Sequence, residues 1–277
     1  MIKMMFSASP PTIKIEFLSR SATREFIEKD ADGYLAGLTP RDISARKSST
    51  IAEYAGVAAR CCSEFSPAQK KVLTDAAELA DSLMSSVRWY SFGKVVEETL
   101  DLNAIAGMPW RFACVSAGDD YEAGWPHTRA DVIFLCKDFF KGYYPSSGRS
   151  KAYDHMVETL VHEKVHVFQR SHAEFMRLWN STQGYQRIAP RSSFPAEAGI
   201  RSNPDLDSYV YSISRTPCFV RYRSSRPKDM YDTEKVGPTE HPNEDMAYKI
   251  AAYVMGLRPI APPRAPPLDP ASDAYCS

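Results

Sequence analysis

The chain has 277 residues and a mass of 31.1 kDa, and its 34 basic side chains balance its 34 acidic ones at a formal net charge of zero. A hydrophobic content of 44% is typical of a soluble globular protein, and the balanced charge gives no basic footprint of the kind that binds nucleic acids. No apolar run approaches the ~18–20 residues that span a bilayer, and the first nine residues are too short and too weakly apolar for a secretory signal. We therefore expect a cytoplasmic protein with no nucleic-acid or membrane partner.

The cysteines favour a reducing compartment. They show no regular spacing, no C-x-x-C pair is present, and two of them lie inside apolar, strand-like runs. We expect buried free thiols and no disulfide framework at the six positions, which are Cys61, Cys62, Cys114, Cys136, Cys218 and Cys276.

The chain is predicted to have three regions. Residues 1–107 form an N-terminal arm and a helical region, and residues 108–257 form a metal-binding catalytic region. Residues 258–277 form a proline-rich tail, which we expect to be extended or disordered because proline-rich segments cannot build a packed core.

The first region contains a possible strand at residues 12–18, followed by helices. Thr39 and Ser66 can cap helices that start at Pro40 and Pro67, because proline fits the first helical position, where the amide has no partner within the helix. The candidate helices cover residues 22–36, 50–63 and 67–86.

The second region opens with two strands, at residues 110–116 and 131–136. The second strand is rich in β-branched and aromatic side chains. A loop precedes it, and His127 in that loop is either an exposed histidine or a residue of a substrate cleft. Further strand-like runs lie at residues 208–214 and 217–223.

The most informative motif is H-E-x-x-H at residues 162–166, inside a stretch that contains neither proline nor glycine. Residues four positions apart share one face of a helix, so His162 and His166 can point at the same metal ion. An apolar stripe runs along the opposite side of this helix, so the histidines face a cleft when the stripe is buried. Glu163 is placed to take a proton from water at that metal. Lys164 interrupts the stripe and must either snorkel or pair.

A catalytic zinc site needs a third protein ligand and leaves a fourth position for water. Glu244 ranks first, because it lies in the first turn of a second predicted helix, which Pro242 starts. His172 ranks second. It has the spacing of a metzincin ligand, but Gln169 stands where those proteins need a glycine. The other candidates are His241, Glu240 and Asp205.

The H-E-x-x-H helix, followed by Asn243-Glu244-Asp245-Met246-Ala247, resembles the zincin metallopeptidases, and among them the gluzincins. Gluzincins carry H-E-x-x-H on one helix and a glutamate ligand on a later one, with a shorter separation in their compact members. The resemblance covers these two helices. It implies a zinc ion held by His162, His166 and Glu244. It also implies a zincin-like α+β fold, mainly helical with a small mixed sheet. An edge strand, for which residues 129–136 are a candidate, would then bind an extended substrate by main-chain hydrogen bonds, while an ordinary core strand is an equally supported interpretation of the same residues.

These features predict a zinc-dependent hydrolase, most simply a metallopeptidase that acts on a peptide or protein substrate. Glu163 would serve as the general base and pass the proton to the leaving amine. Two alternatives remain open. One is a non-catalytic zinc protein with a binding or structural role, although a structural site needs no base between its histidines. The other is a helical interaction domain without metal. The candidate oxyanion donors are Tyr209, Tyr211, Tyr222, Tyr231, His127 and His241.

Overall fold

The computed structural model describes residues 14–87, 96, 99–116, 118, 120–141 and 150–256. Within those residues the chain forms eight α-helices and nine β-strands, so the prediction of an α+β protein is confirmed. The helices are α1 Arg20–Lys29, α2 Pro40–Ala45, α3 Ile51–Cys61, α4 Pro67–Ser86, α5 Leu102–Ala106, α6 Lys151–Ser171, α7 Ala173–Thr182 and α8 Pro242–Val254. The strands are β1 Ile15–Phe17, β2 Cys62–Ser63, β3 Trp110–Val115, β4 His127–Arg129, β5 Val132–Cys136, β6 Tyr185–Pro190, β7 Tyr209–Ile213, β8 Thr216–Tyr222 and β9 Thr233–Val236.

The helices begin where the sequence provides caps. Thr39 and Ser66 form reciprocal capping boxes, and Pro40 and Pro67 occupy the first positions of α2 and α4, as predicted. The motif helix α6 starts after Ser150, whose side chain accepts a hydrogen bond from an amide of the first turn. Local sequence therefore fixes where these helices start.

The first sheet is mixed and has five strands. Strand β3 is parallel to β1 and β5, β4 is antiparallel to β5, and the short β2 pairs with the end of β3. The order β1-β3-β5-β4 makes β4 an edge strand within the described part of the chain. Strand β5 is therefore an interior strand, so most of residues 129–136 form a core strand, the second of the two interpretations, and not an edge strand.

Both faces of this sheet are buried, which explains why β5 is apolar at every position. On one face, side chains such as Phe112 and Leu135 belong to an apolar cluster that also contains residues of α4, α5, α6, α7 and α8. The other face packs with α1 and α3, through side chains such as Val115 and Phe134. The five cysteines within the described residues are buried and free, and Cys276 lies outside those residues.

The second sheet is antiparallel, with the order β6-β7-β8-β9. It lies between the two motif helices in the chain. Residues 199–202 run beside β8, where Ile200 bridges Arg221 and the Arg201 amide donates to the Val220 carbonyl. This pairing places residues 199–202 beside β8, and the residues that follow them reach the motif helices.

The first helix is shorter than predicted, and the proposed division of the chain is not tested by the structure. The helix predicted at residues 22–36 ends at Lys29, because Asp30 is left-handed (φ 43°) and its carboxylate accepts the amides of Leu35 and Ala36. The proposed division at residue 107 stays a prediction, although β1 from the first region pairs with β3 from the second. The proline-rich tail from residue 258 lies outside the described residues.

Candidate metal centre

Helix α6 directs the motif histidines into the protein. Its apolar stripe is buried against α4 and α8, with Val157, Leu160 and Val165 fully inaccessible to solvent. His166 is also fully buried, while the His162 side chain keeps 12% of its surface exposed. The predicted arrangement, with the stripe inward and the histidines on a separate face, is what the structure contains.

Glu244, in the first turn of α8, meets the two histidines. Nε2 of His162 lies 3.0 Å from Nε2 of His166 and 3.3 Å from Oε2 of Glu244, and Nε2 of His166 lies 3.8 Å from Oε1 of Glu244. These ligand atoms all lie within 4.8 Å of one another. Two atoms each ~2.0–2.1 Å from a tetrahedral zinc ion are about 3.3 Å apart, so this donor set fits zinc in both chemistry and spacing.

Burial and charge set the protonation of these ligands. Burial lowers the pKa of His166 to about 3, so its imidazole is neutral. Burial alone would raise the pKa of Glu244, but the hydrogen bond with His162 and the electrostatic interactions with both histidines lower it to about 2. A neutral imidazole and an ionised carboxylate are the forms that bind zinc.

Gln169 holds His166 in the orientation that a metal ligand needs. Its amide nitrogen donates to the Asn243 carbonyl at 2.9 Å, which leaves its Oε1 to accept from Nδ1 of His166 at 2.8 Å. The lone pair of His166 Nε2 is thereby left for the cluster. Asn203 donates to Oε1 of Glu244 at 3.2 Å. Sequence reasoning missed both contacts, although Gln169 lies on the face of α6 that carries His166.

The other candidate ligands are not in this cluster and contact other partners, although Asp205 and Glu240 line the same cavity. His172 ends α6, and its ring stacks on Phe168 with the centroids 3.9 Å apart. His241 caps α8 and contacts the Asp207 carboxylate. Glu240 pairs with an arginine, and Asp205 accepts a main-chain amide. Glu244, and not His172, is the side chain that the fold brings to the motif histidines.

Glu163 is buried beside the cluster. Its Oε2 accepts a hydrogen bond from Oγ1 of Thr128 in β4 at 2.8 Å. Burial raises the pKa of Glu163, the hydrogen bond from Thr128 lowers it, the charge of Glu244 raises it further, and the resulting pKa is about 8. The raised pKa gives the Glu163 carboxylate a higher proton affinity than an exposed carboxylate has, which is a property that a general base needs.

Of the two possibilities for Lys164, the structure shows an ion pair, and the side chain does not extend to solvent. Its side chain is fully buried, and Nζ donates to Oδ1 of Asp81 at 2.6 Å and to the Ala106 carbonyl at 2.8 Å. Nζ also lies 4.1 Å from the centre of the Trp110 ring, whose Nε1 donates to the same Asp81 carboxylate. This pair fixes the rotation of α6 against α4 and β3.

A cavity of about 640 Å³ opens beside the cluster. Tyr248, one helical turn after Glu244, stands at its rim with 65% of its surface exposed and its ring centroid 4.5 Å from that of His162. Its position four residues after a candidate ligand was the signal that sequence reasoning overlooked. Apolar side chains form much of the wall, among them Trp125, Pro126, Phe139, Met156 and Met230.

His127 lines this cavity and is 2% exposed, so the interpretation as an exposed histidine is wrong. Burial lowers its pKa to about 4 and keeps the ring neutral. Nδ1 donates to the Trp125 carbonyl at 2.9 Å, so Nε2 carries a lone pair and cannot donate to an oxyanion in this form. The other proposed oxyanion donors do not line the cavity; they are Tyr209, Tyr211, Tyr222, Tyr231 and His241.

Comparisons of the chain with protein-family models, with curated proteins and with solved structures found no match. None of the helices within the described residues has the length and apolar character required to cross a bilayer. The function has to be inferred from the chemistry of the site.

Proposed function

We propose that the chain is a zinc-dependent hydrolase in which His162, His166 and Glu244 bind the metal and Glu163 is the general base. The observation that carries the proposal is the convergence of the three ligand atoms, within 4.8 Å, beside the buried carboxylate of Glu163. Three protein ligands leave a coordination position for water or substrate, whereas structural zinc sites are closed by a fourth protein ligand.

We further propose that the protein is related to the zincins and cleaves amide bonds, most simply peptide bonds. Three features support this relationship: the H-E-x-x-H helix, a glutamate on a later helix, and an edge strand that contacts the general base through Thr128. The α+β architecture is compatible with it. Glu163 argues against the alternative of a non-catalytic zinc protein, because metal binding alone requires no base at that position.

Zinc bound by two imidazoles and one carboxylate supplies Lewis acidity that makes water a nucleophile near neutral pH. The protein supplies the proton transfers. Thr128 occupies Oε2 of Glu163, which leaves Oε1 to accept the proton of the attacking water and to return it to the leaving nitrogen. Gln169 and Asn203 hold the ligand side chains in place, so the site needs little reorganisation during the reaction.

Substitution of Glu163 tests the proposal. Glu163→Gln keeps the size of the side chain but removes its basicity, so the variant should retain one zinc per chain and lose hydrolysis by at least ~100-fold. Zinc is measured by elemental analysis of protein purified without chelator, and hydrolysis by mass spectrometry on a mixed library of peptides and esters. Glu174→Gln makes the same change at an exposed position of α7 and should alter neither quantity.

Different outcomes contradict different parts of the proposal. Wild-type protein without zinc would refute the metal centre. Equal hydrolysis by wild type and Glu163→Gln would remove Glu163 from the mechanism. Stoichiometric zinc without hydrolysis of any peptide or ester would favour the non-catalytic alternative.

A further inference from the structure

The outer edge of β4 is closed by the protein's own residues. Antiparallel pairing sets Thr128 opposite Ile133 of β5. The Thr128 amide donates away from β5, to Oδ1 of Asp205 at 2.6 Å, and the Thr128 carbonyl accepts from Nη2 of Arg170 at 2.9 Å. Since alternate residues of an edge strand face outward, Thr128 is the residue of this three-residue strand with outward main-chain groups. Both of those main-chain groups are already hydrogen-bonded within the protein.

Residues 203–205 occupy the position beside this edge. Arg170 donates to the Pro204 carbonyl as well as to Thr128, so it joins the segment to the strand. Asn203, at the other end, reaches Glu244 on α8. The segment therefore fills the space between β4 and the helix that carries the third ligand.

Buried polar contacts fix this segment in place. The amide and the hydroxyl of Ser202 donate to the carboxylate of Asp42 at 2.8 and 2.6 Å, and both residues are buried. Asp42 also lies 3.6 Å from Arg46, which forms a buried ion pair with Glu122 at 2.7 Å. Withdrawal of the segment would leave the buried Asp42 carboxylate without these donors, which is costly. Residues 203–205 thus form a wall of the site and not a mobile lid.

A peptide that binds by β-strand addition needs outward N–H and C=O groups on its host strand, and β4 has none to offer. The adjoining cavity of about 640 Å³ falls within the range of sites that enclose small molecules, about 300–1,000 Å³, and its walls include Trp125, Met156 and Met230. We infer that the site encloses a compact amide or ester, such as an N-acylated dipeptide, and does not bind an extended polypeptide along β4. This inference rests on the proposed function and narrows its substrate class.

Hydroxamates of different lengths test the inference, because they ligate zinc and are not cleaved as substrates. Affinities for the zinc-loaded wild type are measured by calorimetry for acetohydroxamate, for N-acetyl-leucine hydroxamate, and for the same leucine hydroxamate extended by four alanines. A second series extends a succinyl hydroxamate in the opposite direction. We expect the long and short members of each series to differ by less than about threefold. A free edge would add at least two main-chain hydrogen bonds and tighten binding by about 30-fold.

A gain of 30-fold or more in either series would overturn the inference while leaving the metal centre intact. Absence of binding by every hydroxamate, acetohydroxamate included, would instead refute the proposed metal centre on which the inference rests.

Asp205→Ala provides a second test, because it frees the Thr128 amide. The Asp205→Ala variant should bind the long hydroxamates about three- to tenfold more tightly than the short ones. Asp131→Ala, at an exposed position in the turn between β4 and β5, should behave like wild type, and an Asp205→Ala variant that does the same would refute closure by Asp205.

Discussion

Lys164, inside the H-E-x-x-H motif, forms a buried ion pair whose contribution to the stability of the protein can be measured. The Lys164–Asp81 pair is buried, with Nζ and Oδ1 2.6 Å apart, and the Trp110 Nε1 donates to the same carboxylate. Lys164→Met keeps most of the side-chain length but leaves the Asp81 carboxylate buried without its cation. Removal of one partner from a buried pair costs about 3–5 kcal/mol of unfolding free energy. We expect a loss of that size for Lys164→Met.

Urea unfolding followed by circular dichroism measures this loss, in the presence of a chelator so that metal binding does not contribute. Lys71→Met makes the same substitution in the exposed Lys71–Asp75 pair on α4 and should cost less than ~1 kcal/mol. The double variant Lys164→Met/Asp81→Asn removes both charges, keeps an acceptor for Trp110, and should recover most of the stability. A loss below ~1 kcal/mol in Lys164→Met, or a double variant no more stable than the single one, would refute the role of the charge pair.

Two further predictions concern the site and its surroundings. Gln169→Leu removes the acceptor for Nδ1 of His166 and should weaken zinc binding by about 10- to 100-fold in competition titrations with a chelator, whereas His172→Ala should leave it unchanged. Equal effects of the two variants would contradict this assignment. Burial lowers the pKa of His127 to about 4, below its unfolded value near 6.5, so the unfolded chain binds the extra proton and stability falls as the pH drops through that window. Wild type should therefore lose about 2 kcal/mol more than His127→Gln between pH 7 and pH 4.5 in urea unfolding, and parallel losses would exclude this contribution.

The sequence predicted those parts of the structure that depend on neighbouring residues. The start of α4 follows from Ser66-Pro67, and the buried face of α6 follows from its apolar periodicity. Glu244 was predicted because few side-chain types can complete a zinc site with two histidines, and because a capped helix start placed it well. Capping residues allow few positions for a helix start, and few side-chain types can bind zinc. A single sequence is therefore enough to predict these features.

The sequence did not predict features that depend on distant partners. The helix expected at residues 22–36 stops at Lys29, where the left-handed Asp30 accepts the amides of Leu35 and Ala36; its carboxylate is also held by Arg129, which lies 99 positions away along the chain. Strand β4 has three residues, too few for an alternating pattern to be recognised, so the sequence leaves open whether residues 129–136 form an edge strand or a core strand. Each feature also has a partner that is remote in sequence: Arg129 for Asp30, and β3 for β5.

Asp205 shows why substrate access is harder to predict than chemistry. In the sequence it was one of several acids that could have bound a metal, and nothing near it in the chain distinguishes that role from another. The structure places its carboxylate on the main-chain amide of Thr128, 77 positions away, where it closes the edge strand instead of joining the cluster. The motif residues limit which reaction the proposed site can support, because their spacing on one helix brings two histidines and a carboxylate together, while the third candidate ligand, Glu244, comes from α8. Which substrates can reach that site depends on loop residues whose partners become known only when the chain is folded.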